Sequence, residues 1–273
     1  MNALAQHALR PGSWFSEELT TLTPETCRIL PSGHRMPLMG LGTWNLTVRT
    51  VETLCNALEV GFRMIDTAPD YHTQRGIGDA IRACGFEREA VYVVTKIDPK
   101  EDAHAAIRKS LGQMRLDHID LALIHEPPEH GVGETAWQGL RRAKREGLVR
   151  DIGVCSYSID AIEELVYRTG EMPAVNQIPW STREHDPRVL AESRQRGVVL
   201  EGYSVLKNSD LRSPVLRELA AKYQVSPVQV VLRWHLEHDI VMIPKSVDPQ
   251  RIASNFDLFG FSLTPDEIAR VAG

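Results

Sequence analysis

Four titratable side chains stand at or just past the ends of apolar runs: Asp66, Tyr71, Lys96 and His125. Asp66 closes Gly61-Phe62-Arg63-Met64-Ile65-Asp66, and Tyr71 follows in the loop Thr67-Ala68-Pro69-Asp70-Tyr71. Lys96 closes Val91-Tyr92-Val93-Val94-Thr95-Lys96, and His125 closes Ile119-Asp120-Leu121-Ala122-Leu123-Ile124-His125. A charge at the end of a buried strand is expensive unless it meets a partner or a ligand. Together these types make a set suited to proton transfer: an acid, a cation that tunes it, a counter-ion for that cation, and a hydrogen-bond donor. They can meet only if their strands open on one mouth, as strand C-termini do in a parallel barrel.

The rest of the chain supplies such strands. Of its 273 residues, 42% are hydrophobic and 25% charged, ordinary globular values. Strand-like runs fall at 38–41, 62–66, 91–96, 119–125, 149–154, 174–177, 198–203 and 240–244. Between them apolar residues recur at helical spacing, as in Val51-Leu54-Leu58 and Ile107-Leu111-Met114. Eight strand-then-helix units predict an α/β fold, a (β/α)₈ TIM barrel rather than a doubly wound sheet. Segment 27–37, with Ser32-Gly33 in its middle, reads as an N-terminal β-hairpin before the barrel. Thr264-Pro265-Asp266-Glu267 has N-cap and first-turn proline character and starts a last helix. Residues 1–26 fit no unit of the repeat and form an N-terminal extension, either a flexible arm or a helix on the outside. Residues 27–273 then make one barrel domain.

The net charge of -5 argues against a nucleic-acid binder. No apolar stretch is long enough to span a membrane. Residues 1–12 lack the basic start and apolar core of a secretory signal. Cys27, Cys55, Cys84 and Cys155 show no CxxC spacing, which predicts reduced thiols in a cytoplasmic setting. No metal site is expected, and nothing demands more than a monomer.

The chain resembles the aldo-keto reductase family in a series of short runs taken in order. They are Met39-Gly40-Leu41-Gly42-Thr43-Trp44, then Gly61-Phe62-Arg63-Met64-Ile65-Asp66-Thr67-Ala68 with Tyr71, then Thr95-Lys96 and Leu123-Ile124-His125. Ile152-Gly153-Val154, Asn176-Gln177, Gly202-Tyr203-Ser204 and Ile243-Pro244-Lys245-Ser246 continue the series. The resemblance implies a (β/α)₈ barrel that binds a nicotinamide cofactor without a Rossmann domain. Consistently, Gly40-Leu41-Gly42-Thr43-Trp44-Asn45 begins like a dinucleotide fingerprint but carries Asn45 where the third glycine belongs. Gly42 and Thr43 are implied cofactor contacts.

The implied chemistry is reduction of a small-molecule carbonyl. The cofactor supplies the hydride, and the protein supplies the acid. Tyr71 is the implied acid. A free tyrosine has a pKa near ~10, too weak to donate readily at neutral pH, and a neighbouring ammonium, here Lys96, stabilises its phenolate and lowers that pKa. Asp66 holds Lys96, and His125 polarises the carbonyl oxygen.

Lys245, Ser246 and Arg251 place two cations and a hydroxyl at the start of a helix, a constellation suited to phosphate. In the resembling family this set grips the adenosine 2′-phosphate, which implies NADPH. Asn255 matches a position near the adenine, Tyr203 the aromatic stacked on the nicotinamide, and Gln177 the side chain bonded to its carboxamide. Ser156 stands, after Cys155, where the family carries a Ser-Asn pair. Other departures are Thr73-Gln74 after the tyrosine loop, Glu126 in place of a tryptophan, and Val205 in place of a proline. The short C-terminal end implies an open site.

Trp44 and Trp180 are expected as pocket walls, with Glu126 on a polar rim. Two other functions stay open at this point. Lys96 is the nucleophile a Schiff-base barrel enzyme requires. A nucleotide-binding regulatory subunit without turnover is the other.

Overall fold

The computed structural model describes residues 22–272. Most of the expected N-terminal extension, residues 1–21, lies outside the described residues. Strands β1 (Cys27–Ile29) and β2 (Arg35–Pro37) pair antiparallel, as the hairpin reading requires. The barrel strands follow: β3 (Leu41–Gly42), β4 (Met64–Asp66), β5 (Tyr92–Ile97), β6 (Ile119–Ile124), β7 (Val149–Cys155), β8 (Val175–Pro179), β9 (Val199–Tyr203) and β10 (Val241–Met242). All are parallel to their neighbours, in sequence order from β3 to β10.

The ring closes between its first and last strands. Gly40 N–H donates to Met242 O at 2.9 Å, and Gly42 N–H to Pro244 O at 3.2 Å. The expected strand at 38–41 is thus displaced: only Leu41–Gly42 pairs with β4, while Met39 bridges to Met242. The other seven expected strands stand where the apolar runs place them, to within two or three residues at their ends.

The helices are α1 (Thr50–Val60), α2 (Gln74–Ala83), α3 (Ala103–Met114), α4 (Glu134–Arg145), α5 (Ile159–Thr169), α6 (Pro187–Gln195), α7 (Pro214–Tyr223), α8 (Pro227–Glu237), α9 (Pro249–Phe256) and α10 (Pro265–Ala272). α3, α5 and α6 begin at Asp102, Ser158 and Asp186, whose side chains accept from the first turn. α10 starts at the anticipated cap, with Thr264 N–H donating to Glu267 Oε2 at 2.8 Å. No helix among the described residues is long and apolar enough to cross a membrane.

The hairpin lies against the end of the barrel opposite the mouth. Leu30 and Met36 are buried there, and His34 Nδ1 sits 2.7 Å from the buried Asp151 Oδ2 at the start of β7. The expectation that every cysteine is a free thiol is overturned. Cys55 in α1 and Cys84 at the end of α2 form a disulfide across the two adjacent helices. Helix-on-helix packing brings together residues 29 apart in sequence, so no local spacing announces the pair. Cys27 and Cys155 remain unpaired.

α2 packs so closely on the end of α3 that Gly78 has no room for a side chain. A Cβ there would lie 1.7 Å from the Met114 carbonyl oxygen, a backbone atom that cannot turn aside. Gly78→Ala is therefore expected to destabilise the protein by about 3 kcal/mol, read as a lower urea midpoint.

Candidate active site

At the mouth the strand ends surround a cavity of about 790 Å³. Asp66 ends β4 and Lys96 lies one residue before the end of β5, both pointing inward and nearly fully buried. Lys96 Nζ donates to Asp66 Oδ1 and Oδ2 at 2.8 and 2.7 Å, and to the Thr67 carbonyl at 3.1 Å. All three ammonium protons are thereby placed. Burial alone would lower the Lys96 pKa, but chiefly the charge and hydrogen bonds of Asp66 more than offset it and hold the ammonium well above its ordinary value. A Schiff-base nucleophile must be a free amine, so this environment works against the imine alternative.

Tyr71 reaches the cavity from a single 3₁₀ turn, Pro69–Tyr71, with His72 beyond it in a left-handed conformation. Hydroxyls hold the base of this loop. Thr73 Oγ1 bonds Thr43 Oγ1 at 2.9 Å and Thr67 Oγ1 at 2.8 Å, while Thr43 Oγ1 donates to the Asp66 carbonyl at 2.8 Å. Gln74 Nε2 donates to Thr95 and Ser110, both at 3.0 Å. The Thr73-Gln74 departure from the family pattern is thus an anchor for the tyrosine loop.

The Tyr71 hydroxyl lies 3.5 Å from His125 Nε2. Lys96 Nζ is 5.0 Å from the Tyr71 ring centroid. The expected lowering of the Tyr71 pKa does not prevail. Burial pushes it up to about 12, with Lys96 opposing and Asp66 and Asp70 adding to the rise. Tyr71 therefore carries its proton at neutral pH. Burial and the Lys96 charge lower the His125 pKa, which favours a neutral imidazole.

Gly42, Trp44, Asp66, Tyr71, His125, Glu126, Ser156, Gln177, Tyr203 and Lys245 all line the cavity. Tyr203 and Ser156 face each other, with hydroxyls 3.3 Å apart. Trp44 is exposed, with Lys245 Nζ 5.6 Å from its ring centroid. Ser246, Arg251 and Asn255 lie beyond the cavity, on α9 and the loop before it. Asp248 caps that helix: its Oδ1 accepts from Arg251 N–H at 3.0 Å, and its own N–H donates to Ser246 Oγ at 3.1 Å. The helix terminus is therefore already occupied by a carboxylate. An arriving phosphate must rely on the Lys245, Ser246 and Arg251 side chains.

Two expected residues are elsewhere. Thr43 is buried and absent from the cavity wall; its hydroxyl is spent on the tyrosine loop. Trp180 is buried outside the barrel interior, its ring tilted 55° against that of His185 and its carbonyl 3.1 Å from His235 Nε2 of α8. Strand alternation explains this: Gln177 and Pro179 share the inward parity, which leaves Trp180 on the helix side. The sequence reading also missed Glu201, fully buried in β9 beneath the site, 2.9 Å from Gln177 Nε2. Its signal was present: an acid two residues before Tyr203 in an apolar strand must share Tyr203's face.

The sequence pattern of the Aldo/keto reductase family matches residues 38–273. Methylglyoxal reductase DkgA of Salmonella typhimurium is 37% identical over 252 residues, covering 89% of this chain and 91% of that protein. 2,5-Diketo-D-gluconic acid reductase B of a Corynebacterium species is 38% identical, covering 89% and 91%. Among solved structures, a Bombyx mori aldo-keto reductase in complex with NADP superposes with a TM-score of 0.84 at 31% identity, covering 90% of this chain and 92% of that one. The chain belongs to the aldo/keto reductase family.

Removing one partner of the buried pair strands the other's charge. Lys96→Met is expected to cost about 3–5 kcal/mol of stability, while the double variant Asp66→Asn/Lys96→Met regains most of it. Paired urea denaturation curves measure both.

Proposed function

We propose that this protein reduces a small aldehyde or dicarbonyl to the alcohol with NADPH, Tyr71 delivering the proton. One observation carries the reading: the Tyr71 hydroxyl and His125 Nε2 face each other across 3.5 Å on the cavity wall, above the Asp66–Lys96 pair. Bound NADPH would supply the hydride. The cavity suits that cofactor, with Tyr203 as an aromatic face, Gln177 as an amide partner and Lys245 as a cation on one wall. Ser246 and Arg251 stand further along for the 2′-phosphate.

As hydride reaches the carbonyl carbon, negative charge grows on its oxygen. Tyr71 gives that oxygen its proton. An alkoxide is a stronger base than a phenolate, so a phenol held near 12 is acid enough for this step and stays loaded with its proton at neutral pH. The phenolate left behind faces the Lys96 ammonium in a poorly solvated site, where that charge acts strongly. His125, as a neutral imidazole, offers an N–H to the same oxygen. Asp66 keeps Lys96 in place and partly balances it.

The names of the relatives point to small dicarbonyls: methylglyoxal, whose carbonyls are adjacent, and a sugar acid with ketones at carbons 2 and 5. Trp44 and the Glu126 carboxylate both line the cavity, a combination that suits small, neutral, hydroxyl-bearing carbonyls better than an anionic one. A regulatory subunit would instead bind NADPH and leave every carbonyl intact.

Tyr71→Phe is expected to lower kcat by about 10²–10⁴-fold and leave the NADPH Kd near the wild-type value. Loss of NADPH binding instead would count against an acid role. Arg251→Ala is expected to raise the KM for NADPH about tenfold or more with little change for NADH. Equal effects on both would place the phosphate elsewhere. Steady-state kinetics and fluorescence titration read these outcomes.

A further inference from the structure

Gln177 and Glu201 are direct neighbours across the β8–β9 ladder, and both point into the barrel. Gln177 Nε2 donates to Asp66 Oδ2 at 3.0 Å and to Glu201 Oε2 at 2.9 Å. A primary amide has two N–H groups and one acceptor oxygen. Both N–H groups are therefore spent on carboxyl oxygens inside the barrel. The amide oxygen remains, on the side of Cys155, whose thiol is a weak donor 4.0 Å away and itself lines the cavity. A flipped amide would set its oxygen against Asp66, both of whose oxygens accept from Lys96.

Glu201 is suited to this task in its neutral form. Its Oε1 has no partner, while Oε2 accepts from Gln177. A protonated carboxyl accepts through one oxygen and carries its proton on the other. Burial, then the charge of Asp66, push the Glu201 pKa up to about 8. The titratable groups facing it are Asp66 of β4, Lys96 and Tyr92 of β5, and Cys155 of β7.

We propose that Glu201 is a positioning residue that takes the second N–H of Gln177 and so locks this amide with its oxygen toward the cavity. The Gln177 amide then accepts a hydrogen bond from a carboxamide N–H and itself offers none to a carbonyl oxygen. Glu201 thereby sets which way the cofactor's carboxamide, and the ring that bears it, can face. This rests on the reading above that a nicotinamide carboxamide lies against Gln177.

The test compares Kd values, by fluorescence titration, for NADPH and for its reduced 3-acetylpyridine analogue, which keeps the carbonyl but lacks the amide N–H. Wild-type protein is expected to favour NADPH about tenfold, the worth of one hydrogen bond. In Glu201→Met the second N–H of Gln177 loses its partner and can tilt toward the acetyl oxygen while the first stays on Asp66, and the preference falls to about twofold or less. Glu201→Gln keeps an acceptor oxygen in place and restores the wild-type ratio. Glu201→Thr, too short to reach, gives the same loss where the methionine variant does not fold. A merely structural role for Glu201 would weaken both cofactors alike. An unchanged ratio in the methionine or threonine variant overturns the positioning role and leaves the carboxamide placement standing. A ratio near one in the wild type overturns that placement and the proposal together.

Discussion

A lysine ammonium and an aspartate carboxylate sealed inside a barrel organise everything around them. Lys96 and Asp66 are 1% and 2% exposed, and each is unaffordable there without the other. Their pairing fixes the relative heights of the β4 and β5 ends. The ammonium also holds the Thr67 carbonyl, at the foot of the path the tyrosine loop takes over the top. The Thr43–Thr73–Thr67 hydroxyl chain and the Gln74 amide then hold that path. The second oxygen of Asp66 also serves Gln177, so one carboxylate orients both the acid side and the cofactor side of the cavity.

Around this ion pair at the mouth, four neighbouring groups are biased toward their neutral forms. Burial raises Tyr71 and Cys155 and lowers His125, and Glu201 is raised by burial together with the Asp66 charge. The mouth thus sets one compensated pair among groups held neutral, while Asp120 pairs with Arg88 and Arg150 nearer the strand starts. Such a site spends little energy at rest and responds strongly when charge appears on a bound oxygen, because the medium around it screens poorly. The expectation that Lys96 would make Tyr71 a stronger acid gave too little weight to burial. In the proposed mechanism Lys96 would instead stabilise the charge that Tyr71 takes on after giving up its proton.

Much of this was legible in the residue order because strand ends advertise their cargo. Asp66, Lys96 and His125 follow apolar runs, and a parallel barrel turns such positions into neighbours. Tyr203, Gln177 and Ser156 were found through resemblance and do meet at the cavity. Trp180 was misplaced because residue type was weighed ahead of strand parity. The Thr43 hydroxyl is turned to the neighbouring loop, a use that its place beside a glycine-rich run does not announce. The Cys55–Cys84 pair depends on helix-against-helix contact that no local spacing encodes. Glu201 was readable from its parity with Tyr203, yet its meaning required the distance to Gln177.

The central claim is that Tyr71 sits in the resting protein as a protonated phenol whose proton is given up only to a strong developing base. An ultraviolet pH titration of wild-type protein, minus the same titration of the Tyr71→Phe variant, isolates the ionisation of this one side chain. No tyrosinate signal from Tyr71 below about pH 11 is expected, in keeping with a pKa pushed up to about 12. A difference band with its midpoint near neutral pH would contradict the account, because Lys96 would then outweigh burial and the resting site would hold a phenolate.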